Sequence, residues 1–162
     1  MTLEETLNDW LVHLFKDLVD IEGRCLITEE FQDITVNDMH VMEAIGVEEP
    51  RNMKTVAGRM GVTMGTLTKA IDGLCRKGYV IREKSSEDRR VVKLKLTDKG
   101  RNAFYHHEAF HTQMIERVKQ QLSKQEAEIL IRALSTLSEY FRNTYTEVEE
   151  DKQFLDWNDV KE

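Results

Sequence analysis

A group of hydroxyl, small and basic side chains between residues 63 and 69 has the composition of a nucleic-acid contact. Its members are Thr63, Met64, Gly65, Thr66, Thr68 and Lys69. Threonine hydroxyls and a lysine near a helix N-terminus can donate to phosphates, and threonines can also reach base edges and thymine methyl groups. The alternative is that Thr63 only caps a helix and Thr66 only fills a surface position. Thr66 and Lys69 have no place on the apolar face of this helix, which favours contact with DNA.

A basic hairpin predicted over residues 79–96 adds a second group of this kind. Apolar and basic residues alternate on its return strand, in the order Val92, Lys93, Leu94, Lys95 and Leu96. This is the period-two pattern of a strand with one buried face. The candidate contacts are Arg82, Lys84, Asp88, Arg89 and Arg90. A carboxylate two residues before an arginine, as in Asp88 and Arg90, can orient the guanidinium for insertion into a minor groove. The alternative is a charged tip that only aids solubility.

The residues that must position both groups form a helix-turn-helix pattern. A helix from Asn52 to Met60 is followed by a turn at 61–63 and a second helix from Met64 to about Lys77. The turn begins with a glycine, which can adopt the left-handed conformation needed there. The buried side of the second helix is predicted to carry Leu67, Ile71, Leu74 and Cys75. Followed by a hairpin, these elements predict a winged helix-turn-helix, a shape that docks on duplex DNA.

The distribution of charge supports this interpretation, although the total charge opposes it. The net charge is −7, yet residues 51–101 hold fourteen Lys/Arg against five Asp/Glu, a local charge of +9 that leaves −16 for the remainder. A local positive field attracts phosphate, while the acidic remainder keeps the protein soluble. The acidic total therefore does not exclude DNA. The basic block also argues against the alternative of a module that binds only other proteins.

Four further helices are predicted around this unit. They cover residues 4–22, 36–47, 98–121 and 124–145. Their predicted caps are Thr35, Thr97 and the Ser123–Glu126 capping box. Gly23 is expected to end the first of these helices, and Pro50 is expected to close the second.

Apolar stripes on the first, fifth and sixth helices exceed what a chain of 162 residues can cover. A second copy is the simplest cover, and a two-fold dimer spaces two recognition helices by about 34 Å, as successive major grooves require. We therefore predict a mainly α fold with a small β-wing, in which residues 1–34 and 98–145 form a helical dimerisation platform. Residues 35–97 form the winged helix-turn-helix DNA-binding domain, and residues 146–162 form an acidic C-terminal tail.

Several other classes of protein lack their residue patterns in this sequence. There is no nucleophile beside a base, no phosphate-binding glycine loop and no His-Glu-x-x-His motif. The chain is therefore not expected to be an enzyme, and no cofactor is assigned. No apolar run is long enough to span a bilayer, and the N-terminus lacks the features of a signal peptide, which predicts a cytoplasmic protein without a membrane partner. Cys25 and Cys75 are expected to be buried thiols and not a disulfide.

The stretch from Asp88 to Gly100, Asp-Arg-Arg-Val-Val-Lys-Leu-Lys-Leu-Thr-Asp-Lys-Gly, resembles the wing signature of MarR-type transcriptional regulators. The order of helices is similar to theirs across residues 4–145. The resemblance implies an obligate homodimer with interlocked terminal helices and two winged helix-turn-helix lobes. It also implies repression by occupying a promoter palindrome, tuned by a ligand bound between the platform and the DNA-binding lobe, and no catalysis.

Within that family, residues 31–40 and 62–68, together with His107 and His111, most resemble FabT-type repressors of fatty-acid synthesis. The resemblance implies a lipophilic effector, long-chain acyl groups carried on acyl carrier protein, that tightens binding to DNA. The candidates for the effector pocket are Trp10, Leu14, Ile21, Met39, His40, His107 and His111. The acidic tail after Tyr145 departs from the shorter pattern of that subfamily.

A zinc-responsive regulator is the alternative function. Its candidate ligands are Glu22, His40, His107 and His111. The last two are four residues apart on one helix face, and three imidazoles with a carboxylate suit zinc by ligand type and tetrahedral count. Zinc-responsive members of the family place one glutamate and three histidines at similar positions. The other interpretation, which we favour, is a hydrogen-bonded polar cluster without metal at the joint between platform and DNA-binding lobe.

Overall fold

Six helices and a small antiparallel sheet make up the part of the chain that the structure describes. The structure is a computed structural model and describes residues 2–85, 88 and 91–150, with side chains as far as Thr144. The helices are α1 (Leu3–Leu26), α2 (Val36–Ile45), α3 (Met53–Met60), α4 (Met64–Arg76), α5 (Asp98–Gln121) and α6 (Lys124–Glu150). The strands are β1 (Arg51–Asn52), β2 (Val80–Lys84) and β3 (Val92–Leu96), and a 3₁₀ turn at Glu29–Phe31 precedes α2. The predicted class, mainly α with a small β-wing, is confirmed.

Helices begin at the hydrogen bonds that the sequence predicts. At the start of α2, Thr35 Oγ1 accepts from the Asp38 backbone N–H at 3.1 Å, and Asp38 Oδ2 accepts from the Thr35 N–H at 3.0 Å. Ser123 and Glu126 repeat this reciprocal arrangement before α6. Each box satisfies backbone N–H groups that a helix start leaves without a partner in the helix. These predicted caps are confirmed.

Two helix ends differ from the predictions. α1 continues through Gly23, because an interior glycine costs a helix only about 1 kcal/mol relative to alanine. The Gly23 carbonyl still accepts from the Ile27 N–H. α2 ends at Ile45, two residues earlier than expected, because Gly46 adopts φ +75°, a conformation that glycine tolerates and other residues rarely adopt. Pro50 therefore does not end that helix.

The C-terminal part of the chain and β1 also depart from expectation. α6 extends to Glu150, five residues beyond its predicted end, so the predicted tail from residue 146 begins as helix. Residues 151–162 of that tail lie outside the described part of the chain. β1 has only two residues, and a strand of that length carries no alternation by which a sequence could predict it.

The register of the sheet decides where the wing side chains point. The strand order is β1-β3-β2, and both pairs are antiparallel. Val80 pairs with Leu96, and Arg82 pairs with Leu94. Directly paired residues point to the same face of a sheet, and Val80, Leu94 and Leu96 are buried. The Arg82 side chain therefore starts from the face that packs on the core.

One apolar core joins the helix-turn-helix to the end of α1 and the start of α5. Its fully buried members include Leu26, Ile45, Val56, Leu67, Ile71, Leu74, Tyr79, Leu94 and Ala103. This core crosses the predicted domain boundaries at 34/35 and 97/98. The chain divides into two compact units between Gln113 and Met114. The division into a dimerisation platform and a DNA-binding domain stays a prediction.

The two cysteines are free thiols in different surroundings. Cys75 is half-buried against the core, and burial raises the pKa of its thiol. Cys25 is exposed. Its neighbour Leu26 is the α1 residue that enters the core, and adjacent helix positions point about 100° apart. The expectation of a buried thiol is therefore wrong for Cys25.

α1 and α6 present rows of large apolar side chains on the outside of the single chain. On α1 they include Leu7, Trp10, Leu14, Phe15, Leu18 and Ile21, and on α6 Ile129, Leu130, Ile131, Leu134 and Phe141. Single exposed apolar residues are ordinary, but rows of them mark a surface that a partner covers. Among the described residues, no helix combines the length and apolar character needed to cross a membrane.

Candidate nucleic-acid interface and polar cluster

The first turns of α4 expose the predicted contact residues as a group. Leu67, Ile71 and Leu74 are buried and fix the inner face of the helix, with Cys75 at its edge. The opposite side exposes Thr63, Met64, Gly65, Thr66, Thr68 and Lys69. Gly61, in the turn before α4, has φ +63° and ψ +32°, the left-handed conformation that the sequence predicts. The core therefore sets which face of α4 a ligand can reach.

Hydrogen bonds within the start of α4 define what its hydroxyl groups can still bind. Thr63 Oγ1 accepts from the Thr66 N–H at 3.2 Å, and the two hydroxyl oxygens are 3.0 Å apart. Thr68 Oγ1 donates to the Met64 carbonyl at 2.7 Å. A hydroxyl has one hydrogen and two lone pairs. Thr68 can therefore accept from a base amino group, while one hydrogen of the Thr63–Thr66 pair remains to donate outward. The predicted capping by Thr63 is confirmed.

The outer end of the wing exposes charged side chains as far as the structure describes it. The strands close where the Ser85 N–H donates to the Val91 carbonyl at 2.9 Å. Lys84 and Asp88 are both exposed there. The two arginines of the tip, Arg89 and Arg90, lie outside the described residues. The orienting role expected for Asp88 on Arg90 stays a prediction.

Arg82 forms an ion pair that sequence reasoning missed. Its Nη2 atom lies 2.7 Å from Oδ1 of Asp72 on α4. Both side chains are partly exposed, at 36% for Arg82 and 51% for Asp72. The two residues lie in different elements, so helical and strand periodicity carry no signal of the contact. The strand register that turns Arg82 toward the core face is what brings them together.

Five residues fix the base of the wing, and we refer to them as the wing anchor. The buried Tyr79 donates its hydroxyl to Asp33 Oδ1 at 2.6 Å. Lys99 Nζ donates to Asp33 Oδ2 at 3.0 Å and lies 4.0 Å from the centroid of the Tyr79 ring. The Thr97 backbone N–H donates to the Tyr79 carbonyl at 3.0 Å, and Thr97 Oγ1 accepts from the Gly100 N–H at 3.1 Å. The anchor thus ties the loop before α2, the start of β2 and the start of α5 together.

Ionisation of the anchor side chains matches these contacts. The hydrogen bond from Tyr79 lowers the pKa of Asp33. Burial, reinforced by the bond to Asp33, raises the pKa of the Tyr79 hydroxyl. The bond to Asp33 also raises the pKa of Lys99. A charged Asp33 therefore faces a protonated Tyr79 and a charged Lys99 throughout the neutral pH range.

The four residues predicted as a polar cluster or zinc site come together, and we refer to them as the polar cluster. They are Glu22 of α1, His40 of α2, and His107 and His111 of α5. The Nε2 atoms of His40, His107 and His111 lie 3.0, 3.2 and 3.4 Å from Glu22 Oε1. The Nε2 atoms of His107 and His111 are 3.0 Å apart. Three imidazole nitrogens therefore converge on one carboxylate oxygen.

The polar cluster can hold an internal hydrogen-bond network or a cation. Burial lowers the pKa of His107, which favours its neutral form. Burial also opposes ionisation of Glu22, but hydrogen bonds from His40 and His107 outweigh it and hold the pKa of Glu22 below its usual value. The four ligand atoms lie within 4.8 Å of one another. Tetrahedral zinc with bonds of about 2.0 Å separates its ligand atoms by about 3.3 Å, so the donor set fits that ion by type and spacing.

The residues predicted for an effector pocket differ in their exposure. Met39 is fully buried in the core, whereas Trp10, Leu14 and Ile21 are exposed on α1. An open cavity of about 300 Å³ is lined by His40, Glu43, Ala44, Arg59 and Met60. Of the predicted pocket residues, His40 lines this cavity. The predicted effector pocket therefore stays a prediction.

A helix-turn-helix whose second helix exposes threonines and a lysine beside a basic hairpin defines a winged helix-turn-helix protein. A sequence model of the MarR family matches residues 34–92. The solved structure of FabT from Streptococcus pneumoniae in complex with DNA is 33% identical to this chain, with a TM-score of 0.82, and the match covers 87% of this chain and 99% of FabT. The chain belongs to the MarR family.

Curated relatives are similar in sequence to this chain over part of their length. The HTH-type transcriptional regulator SarZ of Staphylococcus saprophyticus is 41% identical over 70 residues, which are 43% of this chain and 48% of SarZ. The HTH-type transcriptional repressor YetL of Bacillus subtilis is 32% identical over 84 residues, 52% of this chain and 50% of YetL. The chain spans about half the length of these curated relatives. The relatives are transcriptional regulators and not enzymes.

Proposed function

We propose that this protein is a DNA-binding transcriptional repressor that acts as a homodimer on a palindromic operator. The observation that carries the proposal is the exposed threonine and lysine face of α4 beside a basic wing, inside a stretch whose local charge is +9. The likeness to FabT, which was solved with DNA and matches over 99% of its chain, supports it. A basic lobe on an otherwise acidic protein directs phosphate to this face.

In the proposed complex, the start of α4 enters the major groove and the wing follows the backbone. Thr66 and Thr68 meet base edges, and Gly65 allows the helix to approach closely. Lys69 and Lys84 neutralise phosphates, and the tip arginines reach the minor groove. Thr68, whose hydrogen is already given to the Met64 carbonyl, then selects a base pair that offers an amino group or a thymine methyl group.

The test is selection of a binding site from random duplexes, followed by titration of that duplex at several salt concentrations. Lys69→Gln should weaken binding to all sequences and reduce the slope of log K against log salt by about 2, because a dimer carries two copies of this lysine. Thr68→Val should leave the slope unchanged and relax preference at one base pair by about 1–3 kcal/mol. Lys124→Gln, on an exposed lysine of α6, is the matched control and should change neither quantity. Failure of the wild type to select any site would refute the proposal.

The homodimer is proposed because the apolar rows of α1 and α6 are exposed among the described residues of a single chain and need a cover. Leu134→Asp places a charge in the row on α6 and should shift the protein toward monomer in sedimentation at micromolar concentration. Asn143→Asp adds the same charge at an exposed position of α6 on the side of the helix opposite Leu134 and should leave the mass unchanged. A wild-type protein that sediments as a monomer contradicts the proposal.

The proposed targets are genes of fatty-acid biosynthesis, and the proposed effector is a long-chain acyl group on acyl carrier protein. Both rest on the resemblance of residues 31–40 and 62–68 to FabT-type repressors. Long-chain acyl carrier protein should increase affinity for the selected operator, and unacylated carrier protein should not. Equal effects of the acylated and unacylated carrier proteins on operator affinity would show that the acyl chain is not the effector.

A zinc-responsive regulator is the second candidate function, because the ligand atoms of the polar cluster lie within 4.8 Å of one another. Its test is metal analysis of protein purified without a histidine tag, followed by operator binding with a chelator and with zinc restored. Stoichiometric zinc and chelator-sensitive binding would favour this function. Metal-free protein that binds its operator equally well in chelator would leave the polar cluster as a hydrogen-bonded joint.

A further inference from the structure

We propose that the ion pair between Asp72 and Arg82 positions the wing on the recognition helix, so that Asp72 promotes DNA binding in spite of its negative charge. This inference rests on the proposed function as a DNA-binding protein. It assigns Arg82 as a positioning residue that acts through α4, in place of the direct DNA contact predicted from its charge. Asp72 has no place among the residues predicted from the sequence to meet DNA.

Asp72 lies where a negative charge opposes DNA binding. It is the single acidic residue of α4. It follows Thr68 by four residues, so both lie on one exposed face of the helix, one turn apart. A carboxylate on a surface that approaches phosphates weakens association unless a cation offsets it. Arg82 is that cation, at 2.7 Å.

The direction of the Arg82 side chain is set by the sheet and not by solvent. Arg82 pairs with Leu94, so the two side chains share the face of the hairpin that packs on the core. From this face the Arg82 guanidinium reaches the side of α4 and donates to the Asp72 carboxylate at a distance typical of a strong charge-assisted hydrogen bond. The pair therefore bridges the recognition helix and the first strand of the wing.

Orientation, and not stability, is what such a pair can contribute here. Both side chains are partly exposed, and exposed pairs add little to the free energy of folding. The buried Leu67, Ile71 and Val80 hold α4 and β2 together in any case. The wing continues beyond Arg82 for three residues to Ser85, about 10 Å of strand. A rotation of about 10° at the ion pair therefore moves the far end of the strand by about 2 Å, enough to misplace the contacts of the tip.

Asp72→Asn gives a test in which the two explanations predict opposite signs. If charge alone mattered, removing a carboxylate from the DNA-facing side of α4 would tighten binding. The positioning role instead predicts binding weaker by about tenfold to the duplex that the wild-type protein selects from a random pool. Glu83→Gln is the matched control, because Glu83 pairs with Lys95 inside the hairpin at 3.8 Å and does not bridge to α4. It removes the same charge and should leave affinity equal or higher.

A double-mutant cycle separates positioning from direct contact. Arg82→Gln should weaken binding about as much as Asp72→Asn, and the double variant should lose no more than either single variant, because both changes break one contact. The slope of log K against log salt should stay unchanged, whereas loss of a phosphate contact from both subunits of the dimer would lower it by about 2. Thermal midpoints should stay within about 3 °C of the wild type, since the pair is exposed.

Three results would overturn the inference, and they are distinguishable. Wild-type protein that selects a duplex, together with Asp72→Asn that binds it equally or more tightly, overturns the positioning role alone. Wild-type protein that binds no duplex overturns the proposed function and the positioning role with it. If the affinity losses of the two single variants add in the double variant and the slope of log K against log salt falls, Arg82 contacts DNA directly.

Discussion

Replacing Gly100 with alanine should separate α5 from the base of the wing. Gly100 lies in the first turn of α5, where a Cβ atom would overlap the Tyr79 carbonyl oxygen. The same Cβ would lie 3.1 Å from the Tyr79 carbonyl carbon and 3.3 Å from Leu96 Cβ. Because the two Tyr79 atoms belong to the backbone and a Cβ atom does not move when its side chain rotates, no side-chain rotation can relieve the overlap. The start of α5 must therefore move away from the turn that carries Tyr79.

The cost of that movement follows from the contacts that it disturbs. Overpacking of this kind costs about 1–3 kcal/mol. The shift also weakens the hydrogen bonds by which Thr97 holds the Tyr79 carbonyl and the Gly100 N–H, each worth about 1 kcal/mol net. The higher helix propensity of alanine offsets about 1 kcal/mol of this loss in the free energy of unfolding. The expected loss in free energy of unfolding is about 3 kcal/mol.

Urea unfolding followed by circular dichroism measures this loss, at one fixed protein concentration because a dimer would make stability depend on concentration. Gly58→Ala is the matched control: Gly58 is exposed on α3, and a Cβ there has no neighbour within 4 Å. The control should gain about 0.5–1 kcal/mol. Equal unfolding midpoints for the two alanine variants would refute the account of the wing anchor.

Two further predictions concern titratable side chains. Tyr79→Phe removes the hydrogen bond to Asp33 and should cost about 1–2 kcal/mol at pH 7. Because that bond lowers the pKa of Asp33 in the fold, its contribution is present above the unfolded value of about 3.9 and is lost as pH falls through the folded pKa. The unfolding free energies of the two proteins in urea should therefore converge as the pH falls through the folded pKa of Asp33. A difference that stays constant over the whole acid range in which both proteins are folded would contradict the assignment. In a Cys25→Ser background, the Cys75 thiol should react with Ellman's reagent more slowly than after unfolding, since burial raises its pKa; equal rates would show that this thiol is not protected.

Local signals explain why the start of α4 was predicted correctly. The spacing of Leu67, Ile71 and Leu74 fixes the buried face through helical periodicity, and exposure of Thr66 and Lys69 follows from it. The caps at Thr35 and Ser123 depend on residues only three positions apart. Interactions within one element are therefore those that this sequence predicts well.

Contacts between elements were missed, because their partners lie far apart and their residue types are common on any surface. Asp33 lies 46 residues from Tyr79, and Asp72 lies ten residues from Arg82. Neither pair has a spacing that distinguishes it from the chain's other charged residues. The polar cluster was expected because two of its histidines share a helix face and a family resemblance supplied the rest. The predicted end of α1 at Gly23 was wrong because the low helix propensity of one glycine is outweighed by the helix-forming residues on both sides of it.

The missed contacts matter because apolar burial alone leaves the relative angle of α4 and the wing poorly defined. Burial of Leu74 and Val80 stabilises the fold by removing apolar surface from water, and this stabilisation does not depend on the direction of the contact. Hydrogen bonds, including the charge-assisted bond between an arginine and a carboxylate, weaken steeply as their geometry departs from the ideal, so they can select one arrangement among several with similar burial. The wing anchor constrains the hinge at Tyr79, and Arg82 constrains the strand three residues further on. Two directional contacts on one strand fix its position as well as its rotation, which is what simultaneous docking of helix and wing on one duplex requires.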